Sequence, residues 1–407
     1  MNKLQQKLVP ELRFPEFEKD KWVKTNLGSI GKPLMCKRIF KEQTTTDPNN
    51  TIPFFKIGTF GKEADAYIPI KLFKEYKEKY SFPNIGEILI SASGTIGRLV
   101  VYDGADAYFQ DSNIVWIEND ETQIINSLLF YCYSTLIWQT SDGGVIKRLY
   151  NSNLKEMVIH FPENQEEQRK IANGLSSLDN IIKAETEKLC YLKDHKKGLL
   201  QQLFPVKGEA KPQFRFSEFK DDGDWKEKNI SQVADYVSGK AHEKEISPTG
   251  KYKVVNSKFI STEGKVVKLS NSANCLAKIG DVLMVMSDIP NGKAFAKCFY
   301  VEADNLYTVN QRICKLTPIN IDSNFLFYSL NRNSYFLSFN DGVKQTNLKN
   351  DDVLSCPLLI PKELKEQKKI ADCLSSADAL IQAQKTKIKN LKNHKKGLLQ
   401  QLFPNSL

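Results

Sequence analysis

The sequence predicts an α/β (α+β) protein of two globular domains, each followed by a long helix, the two helices pairing as an antiparallel coiled coil in a pseudo-twofold repeat. Three observations carry this expectation. The chain has 407 residues, too many for one ordinary core and enough for two domains. HKKGLLQQLFP, from His195 to Pro205, recurs unchanged from His394 to Pro404, an offset of 199 residues. Each copy closes a long apolar series with helical heptad spacing.

The repeat reaches well beyond those eleven residues. EQRKIANGLSSLDNII, starting at Glu167, answers EQKKIADCLSSADALI, starting at Glu366, at the same offset. The apolar run ending in Pro162 answers the one ending in Pro361, and LRFPEF (Leu12 to Phe17) with Trp22 answers FRFSEF (Phe214 to Phe219) with Trp225. Between these matched ends the halves keep residue type but little identity. Ile85-Gly86-Glu87 followed by an apolar run answers Ile279-Gly280-Asp281 followed by another, at a drifted offset. The frame is repeated and the interior is rewritten. This divides the chain into a globular domain at 1–163, a helix at 164–205, a second globular domain at 206–362 and a second helix at 363–404.

In the first helix the heptad series runs Ile171, Leu175, Leu178, Ile182, Glu185, Leu189, Leu192, Lys196, Leu199 and Leu203. In the second it runs Ile370, Leu374, Ala377, Ile381, Gln384, Ile388, Leu391, Lys395, Leu398 and Leu402, with the polar breaks at equivalent places. Such a seam needs a partner helix, and each copy supplies the partner for the other. Asn164 and Glu167 have the spacing of a capping box, while Pro205 and Pro404 end the helices. Gly198 and Gly397 cost about 1 kcal/mol each inside a helix, so the spacing predicts that a partner approaches closely there.

In the globular halves, short β-rich runs are broken by turns. The expected strands are 87–92, 99–102, 113–118 and 157–160 in the first half and 282–286, 295–301 and 312–316 in the second. Helices are expected over 123–140 and 324–333.

The loops between these elements are rich in amides, hydroxyls and cations. In the first half they carry Lys37, Arg38, Lys56, Thr59, Ser93, Thr95, Arg98, Lys147, Arg148, Tyr150 and Asn151. In the second half they carry Lys240, Asn256, Lys258, Asn291, Lys293, Gln311, Arg312, Lys344, Gln345 and Asn347. Arginine matches guanine edges and Asn or Gln matches adenine edges, while lysine and hydroxyls address phosphates. The same composition also suits ordinary solvated turns. Lysine plus arginine exceed aspartate plus glutamate by 58 to 48, a net +10 that favours a polyanionic partner.

Hydrophobic residues at 41% and aromatics at 10% describe a folded protein. Without a long apolar stretch or the apolar core of a secretory signal, the expected location is the cytoplasm, with no membrane partner. The eight scattered cysteines suit reduced, unpaired thiols, and neither they nor the four histidines have metal-ligand spacing. There is no phosphate-binding G-x-x-x-x-G-K-[ST] loop and no Asn/Asp-Pro-Pro-aromatic motif of an adenine methyltransferase. The expectation is a chain that binds and does not catalyse, with no catalytic residues, metal or cofactor of its own.

A basic chain in which two divergent α/β domains alternate with two near-identical helices resembles the specificity (S) subunit of type I restriction-modification systems. The resemblance rests on Pro162 to Pro205 and Pro361 to Pro404, on LRFPEF, and on Gly94-Thr95-Ile96-Gly97-Arg98. The second half departs at that last motif, reading Asp-Ile-Pro-Asn-Gly-Lys from Asp288, which implies a differently shaped loop. The resemblance implies that each globular domain is a target recognition domain reading one half of a bipartite double-stranded DNA sequence, and that the helices set the spacer. It further implies docking of two modification (M) subunits, which use S-adenosylmethionine, and of restriction (R) subunits using ATP and Mg²⁺. The alternative is a non-catalytic coiled-coil scaffold that assembles proteins without DNA. Leu4 to Pro10 also echoes Leu200 to Pro205, as in a circular two-repeat object opened at one point.

Overall fold

The computed structural model describes residues 9–138, 148–289 and 292–404. Two compact units emerge, one from residues 1–186 with 386–407 and the other from 187–385. Each contains a globular body, the half of one long helix that follows it, and the closing half of the other long helix. The helices span Gln165–Leu203 and Leu364–Leu402.

In the N-terminal unit a four-stranded antiparallel sheet has the order Pro33–Leu34, Ile114–Ile117, Ile88–Ser91, Leu99–Val101. Ile88–Ile90 of this strand is an uninterrupted apolar run because both of its faces are covered. Alternate side chains point to opposite faces of a strand. Ile88 and Ile90, with Val115 and Ile117, join a cluster with Leu129, Phe161, Ile171 and Leu175 beside the long helices. Leu89, with Ile114 and Trp116, joins a second cluster with Phe54, Phe60 and Tyr108. That outer cluster is roofed by the three-stranded sheet Tyr67–Pro69, Thr51–Phe55, Tyr108–Phe109.

The C-terminal unit repeats the plan with other residues. Its four-stranded sheet has the order Ala234–Ser238, Ile313–Pro318, Val282–Val285, Cys298–Tyr300. Val282 and Met284 face the cluster beside the helices and Leu283 and Val285 face the outer one. Gly86 and Gly280 sit at φ +90° and +87°, where a glycine turn lets the buried acid that follows cap the loop. Glu87 accepts the Asn84 amide at 2.6 Å and Asp281 accepts the Lys278 amide at 2.8 Å.

The expected strands at 87–92, 99–102, 113–118, 157–160, 282–286, 295–301 and 312–316 appear as Ile88–Ser91, Leu99–Val101, Ile114–Ile117, Val158–Pro162, Val282–Val285, Cys298–Tyr300 and Ile313–Pro318. The expected helix at 123–140 is shorter, Asn126–Thr135, because the Ile125 amide donates to the Gln168 side chain and Leu136 is already extended. Residues 139 and 140 lie outside the described residues. The helix expected at 324–333 is Ser323–Leu330, capped by Asp322.

Glu167 does not form the expected capping box. Asn164 caps alone, accepting the Glu166 amide at 2.8 Å. The Glu167 side chain turns inward, where the Arg13 fork reaches both its oxygens at 2.8 Å and Trp22 Nε1 donates at 3.4 Å. The C-terminal unit holds the same joint: Arg215 reaches both oxygens of Glu366 at 2.7 Å, and Trp225 Nε1 donates at 3.3 Å. The glutamine that follows completes it. Gln168 donates to the Pro162 carbonyl at 2.8 Å, and Gln367 to the Pro361 carbonyl at 3.0 Å. Thus Leu-Arg-Phe, the tryptophan and the Glu-Gln pair are one buried joint between body and helix.

The polar breaks in the heptads are also paired. In the N-terminal unit Lys395 reaches both oxygens of Asp179 at 2.6 and 2.8 Å, Tyr131 donates to the same carboxylate at 2.9 Å, and Lys387 pairs with Glu185. Residue numbers climb along one helix as they fall along the other, so the helices run antiparallel. In the C-terminal unit Lys196 reaches Asp378 at 2.6 Å, with Tyr328 donating at 2.9 Å. Each lysine lies 5.3 Å from the ring centre of the tyrosine beside it. Burial and the neighbouring aspartate push both tyrosine pKa values well up, fixing the phenols as donors.

The helix exits close the cores. Leu402 and Phe403 join the N-terminal unit's inner cluster, with the Phe403 ring edge-on to Trp22 at 6.4 Å. Leu203 joins the C-terminal unit's cluster, and Phe204 packs on Trp225 and Phe325 at 6.2 and 5.3 Å. The Leu12 amide donates to the Gln401 carbonyl at 3.0 Å, as the Phe214 amide does to Gln202 at 2.9 Å. Leu4 to Leu8 of the echoing segment lie outside the described residues.

Candidate nucleic-acid interface

In the N-terminal unit several candidate loops converge on one face. Ser93 forms an isolated antiparallel bridge with Arg148, and the Leu149 amide donates to the Ala92 carbonyl at 2.8 Å. Ser93 Oγ donates to Asn113 at 2.8 Å, and Arg148 Nη2 donates to the Ser112 carbonyl at 2.9 Å. A groove of about 440 Å³ beside this bridge is lined by Ser112, Arg148, Tyr150 and Asn151, with Tyr150 half exposed. Arg38 reaches the same loop through Asp111 at 3.9 Å, and its side chain is 67% exposed, which leaves it available to an outside partner. Lys37 lies 5.0 Å from the Tyr80 ring.

Other candidates in this unit brace the scaffold. Ser91 Oγ donates to the Thr95 carbonyl at 2.6 Å, closing the Gly94-to-Arg98 loop. Arg98 turns back to donate to the Phe60 carbonyl at 2.7 Å. Gly97 is at φ +80°, with the Trp138 indole standing where a Cβ would go. Thr59 caps its own turn through the Lys56 carbonyl, and Lys56 pairs with Asp65 at 2.8 Å. Thr95 itself is exposed at the tip. Lys147 lies outside the described residues.

In the C-terminal unit the corresponding bridge is a short pairing of Ser287–Asp288 with Thr346–Asn347. Ser287 Oγ donates to Asn347 Oδ1, and Gln345 Nε2 donates to Ser287 Oγ at 3.0 Å and to Asn347 Oδ1 at 3.2 Å. Asp288 accepts the Ala294 and Phe295 amides at 2.8 and 3.1 Å, where the first half uses a serine and two glycines, and residues 290 and 291 of the intervening loop lie outside the described residues. Lys293 and Lys344 are exposed on the flanking turns. Exposed Arg312, at φ +70°, gives its carbonyl to the Met286 amide at 2.9 Å. Gln311 donates to Glu243 at 2.9 Å, and Lys240 bridges Asn310. Asn256 caps the short helix Ser257–Ser261 by accepting the Phe259 amide at 2.9 Å, leaving Lys258 exposed. Asn291 lies outside the described residues.

Along the seam, Ile171, Leu175, Leu178, Leu203, Ile370, Leu374, Ile381, Ile388 and Leu402 are buried, and Ile182, Leu189, Leu192, Leu199, Leu391 and Leu398 are half-buried. Outside its own stretch of helix, a Cβ added at Gly198 or Gly397 would meet none of the described residues within 4 Å. The close approach that would explain these glycines is therefore not made by the described residues of this chain. Five thiols, Cys36, Cys132, Cys275, Cys314 and Cys356, are buried and pushed up, Cys36 to about 12. Among the described residues no group of three or more His, Cys, Asp or Glu could hold a metal ion, and no helix is long and apolar enough to cross a membrane.

Sequence reasoning missed Ser112, Asn113 and Ser287, which hold the candidate loops, and Arg13 and Arg215, which hold the helices. The arginines were visible as part of the repeated Leu/Phe-Arg-Phe stretch. The three loop residues had no signal.

The family described as type I restriction modification DNA specificity domain matches residues 19–193 and 222–393. A putative type I restriction enzyme specificity subunit of Haemophilus influenzae is 53% identical over 163 residues, covering 40% of this chain and 42% of that one. The MjaVIII specificity subunit of Methanocaldococcus jannaschii is 25% identical over 341 residues, 79% of this chain and 76% of that one. Among solved structures, the type I restriction-modification S subunit of M. genitalium superposes with a TM-score of 0.62 at 17% identity, covering 98% of this chain and 99% of that one, a likeness of fold. With both halves matched separately by one domain description, the chain belongs to the type I restriction-modification DNA specificity family.

Proposed function

We propose that the two loop clusters are the DNA-reading faces of a type I specificity subunit, each addressing one half of a bipartite target. The observation that carries this is the pair of equivalent bridges, Ser93 with Arg148 and Ser287 with Asn347, set on the same scaffold with different side chains. A scaffold that assembles only proteins has no reason to rewrite its loop tips while keeping every joint.

The chain is the non-catalytic recognition subunit. Modification subunits supply S-adenosylmethionine-dependent adenine methylation, and restriction subunits supply ATP- and Mg²⁺-dependent cleavage. The antiparallel helices, each 39 residues or about 58 Å, set the spacer. His195, Lys197 and Gly198 recur as His394, Lys396 and Gly397, and the histidines and lysines are exposed in both copies. Identity on an exposed surface is not required by the chain's own packing, which supports docking of two copies of one partner, the modification subunit.

The test is binding of the assembled S–M complex to duplex DNA across a salt series. Each neutralised phosphate contributes about −0.9 to the slope of log K against log salt. A steep negative slope, with methylated adenines falling in one split motif, supports the reading. A slope near zero overturns it.

A further inference from the structure

We infer that Arg148 and the Asn347–Gln345 pair occupy the same base-reading position in the two units, Arg148 addressing a guanine in one half-site and the amide pair addressing an adenine in the other. The inference rests on the DNA-reading role proposed above and makes it specific to a base.

The equivalence of the positions is a matter of backbone. Leu149 donates to the carbonyl of Ala92 at 2.8 Å and Leu348 to that of Met286 at 2.9 Å. The next residue along each of these carbonyl-bearing segments is a serine, Ser93 or Ser287, and each serine faces the residue before the leucine. Arg148 and Asn347 are also 199 residues apart, the offset of the repeated helices. The serine is kept and its partner is changed, which is the pattern expected where a shared platform presents a variable reader.

What each reader offers follows from the bonds already made. Arg148 is half-buried, and its Nη2 is tied to the Ser112 carbonyl at 2.9 Å. The rest of the guanidinium presents donors only, in a fixed fork. Guanine is the base whose major-groove edge shows two acceptors, O6 and N7. In the other unit, Asn347 Oδ1 is occupied by Ser287 Oγ and Gln345 Nε2, and Gln345 Nε2 also serves Ser287 Oγ. The groups left to face outward are the Asn347 Nδ2 donor and the Gln345 Oε1 acceptor. Adenine shows the complement, an acceptor at N7 and a donor at N6. Guanine would set its O6 against the Gln345 oxygen, with no proton between them.

The full chain is expressed with its modification subunits in cells lacking other adenine methyltransferases, and the methylated motif is mapped across the genome. Arg148→Asn is expected to shift one guanine position in one half-site, and Asn347→Arg one adenine position in the opposite half-site, each by roughly 5- to 150-fold in relative methylation. Arg148→Lys keeps the charge but not the fork, and Asn347→Ala removes the donor; both are expected to relax the same positions while methylation continues. Unchanged base preference in Arg148→Lys or Asn347→Ala, or both changes falling in one half-site, overturns the inference. So does loss of all methylation in those two mild variants. A wild-type complex that methylates without any split motif overturns the DNA-reading role itself, before any variant is compared.

Discussion

Glu366→Gln removes one charge from a joint that has no solvent to replace it. The Arg215 side chain is 8% exposed and that of Glu366 1%, and the guanidinium holds both carboxylate oxygens at 2.7 Å. Glutamine can still accept one of these bonds, but it leaves a buried cation with only the charges of Asp222 and Asp224 near it. Removing one member of a buried pair costs about 3–5 kcal/mol. The lower end applies, near 3 kcal/mol, because Arg215 also donates to the Gly223 carbonyl at 3.0 Å. By hydrogen exchange this corresponds to roughly 150-fold faster exchange through opening of the C-terminal unit, at about 1.4 kcal/mol per decade. The probes are the amides of the pairing between Lys226–Asn229 and Pro357–Ile360, which anchors the body at the helix start. The matching pairing of Trp22–Asn26 with Val158–Pro162 is the internal control, since its own joint uses Arg13 and Glu167. Replacing both partners, as Arg215→Met with Glu366→Leu, is expected to recover most of the loss, because no unpaired charge remains buried. A change below about 1 kcal/mol in the single variant would refute the reasoning, since that is the scale of an exposed pair. A double variant no better than the single one would refute it as well.

Gly198→Ala and Gly397→Ala should each stabilise the isolated chain by up to about 1 kcal/mol in urea unfolding, because the added methyl meets open space, while weakening titrated binding of modification subunits; unchanged binding would remove the glycines from the docking surface. Gly97→Ala should destabilise the N-terminal unit, since its methyl collides with the Trp138 indole at a positive φ, and a thermal midpoint equal to wild type would contradict this. Lys385 holds the Glu263 carboxyl below its ordinary value, so the stability from this pair is present above pH 4.5 and lost as pH falls through the folded value. Lys385→Met should therefore flatten that acid limb in a pH series of unfolding midpoints. At pH 8 a maleimide should label exposed Cys190 in the native chain and leave Cys36, Cys132, Cys314 and Cys356 unmodified until denaturant is added, as read by peptide mass mapping.

The repeat, the long helices and the central strands were legible because each writes a local period: heptads in Ile171 to Leu203, and an apolar run at Ile88 to Ile90. What the run concealed was its division between two clusters, since Ile88 and Leu89 look alike in sequence and face opposite ways. Glu167 was misread for a related reason. Its spacing from Asn164 suggested a local cap, whereas the bond that decides its orientation comes from Arg13, 154 residues earlier. The candidate loops were chosen by composition, which does not state a side chain's role. Arg98 and Asn256 carry the residue types that read bases, yet the structure turns one back to the Phe60 carbonyl and uses the other as a helix cap. Separating a reader from a brace takes the identity of the acceptor, which no local pattern states.

HKKGLLQQLFP has duties at several positions, and the duties are reciprocal. The lysine at its second position meets an aspartate carried by the other helix, Asp378 for Lys196 and Asp179 for Lys395. Its phenylalanine, Phe204 or Phe403, closes the body that follows or precedes it against an equivalent tryptophan. Each copy therefore meets a socket whose twin receives the other copy. Trp22, Glu167, Tyr131 and Asp179 have counterparts in Trp225, Glu366, Tyr328 and Asp378, so the two sockets use the same residue types. The loop tips at Arg148 and Asn347 face no such twin, and a change there alters one unit's outward chemistry without loosening the joints that hold it.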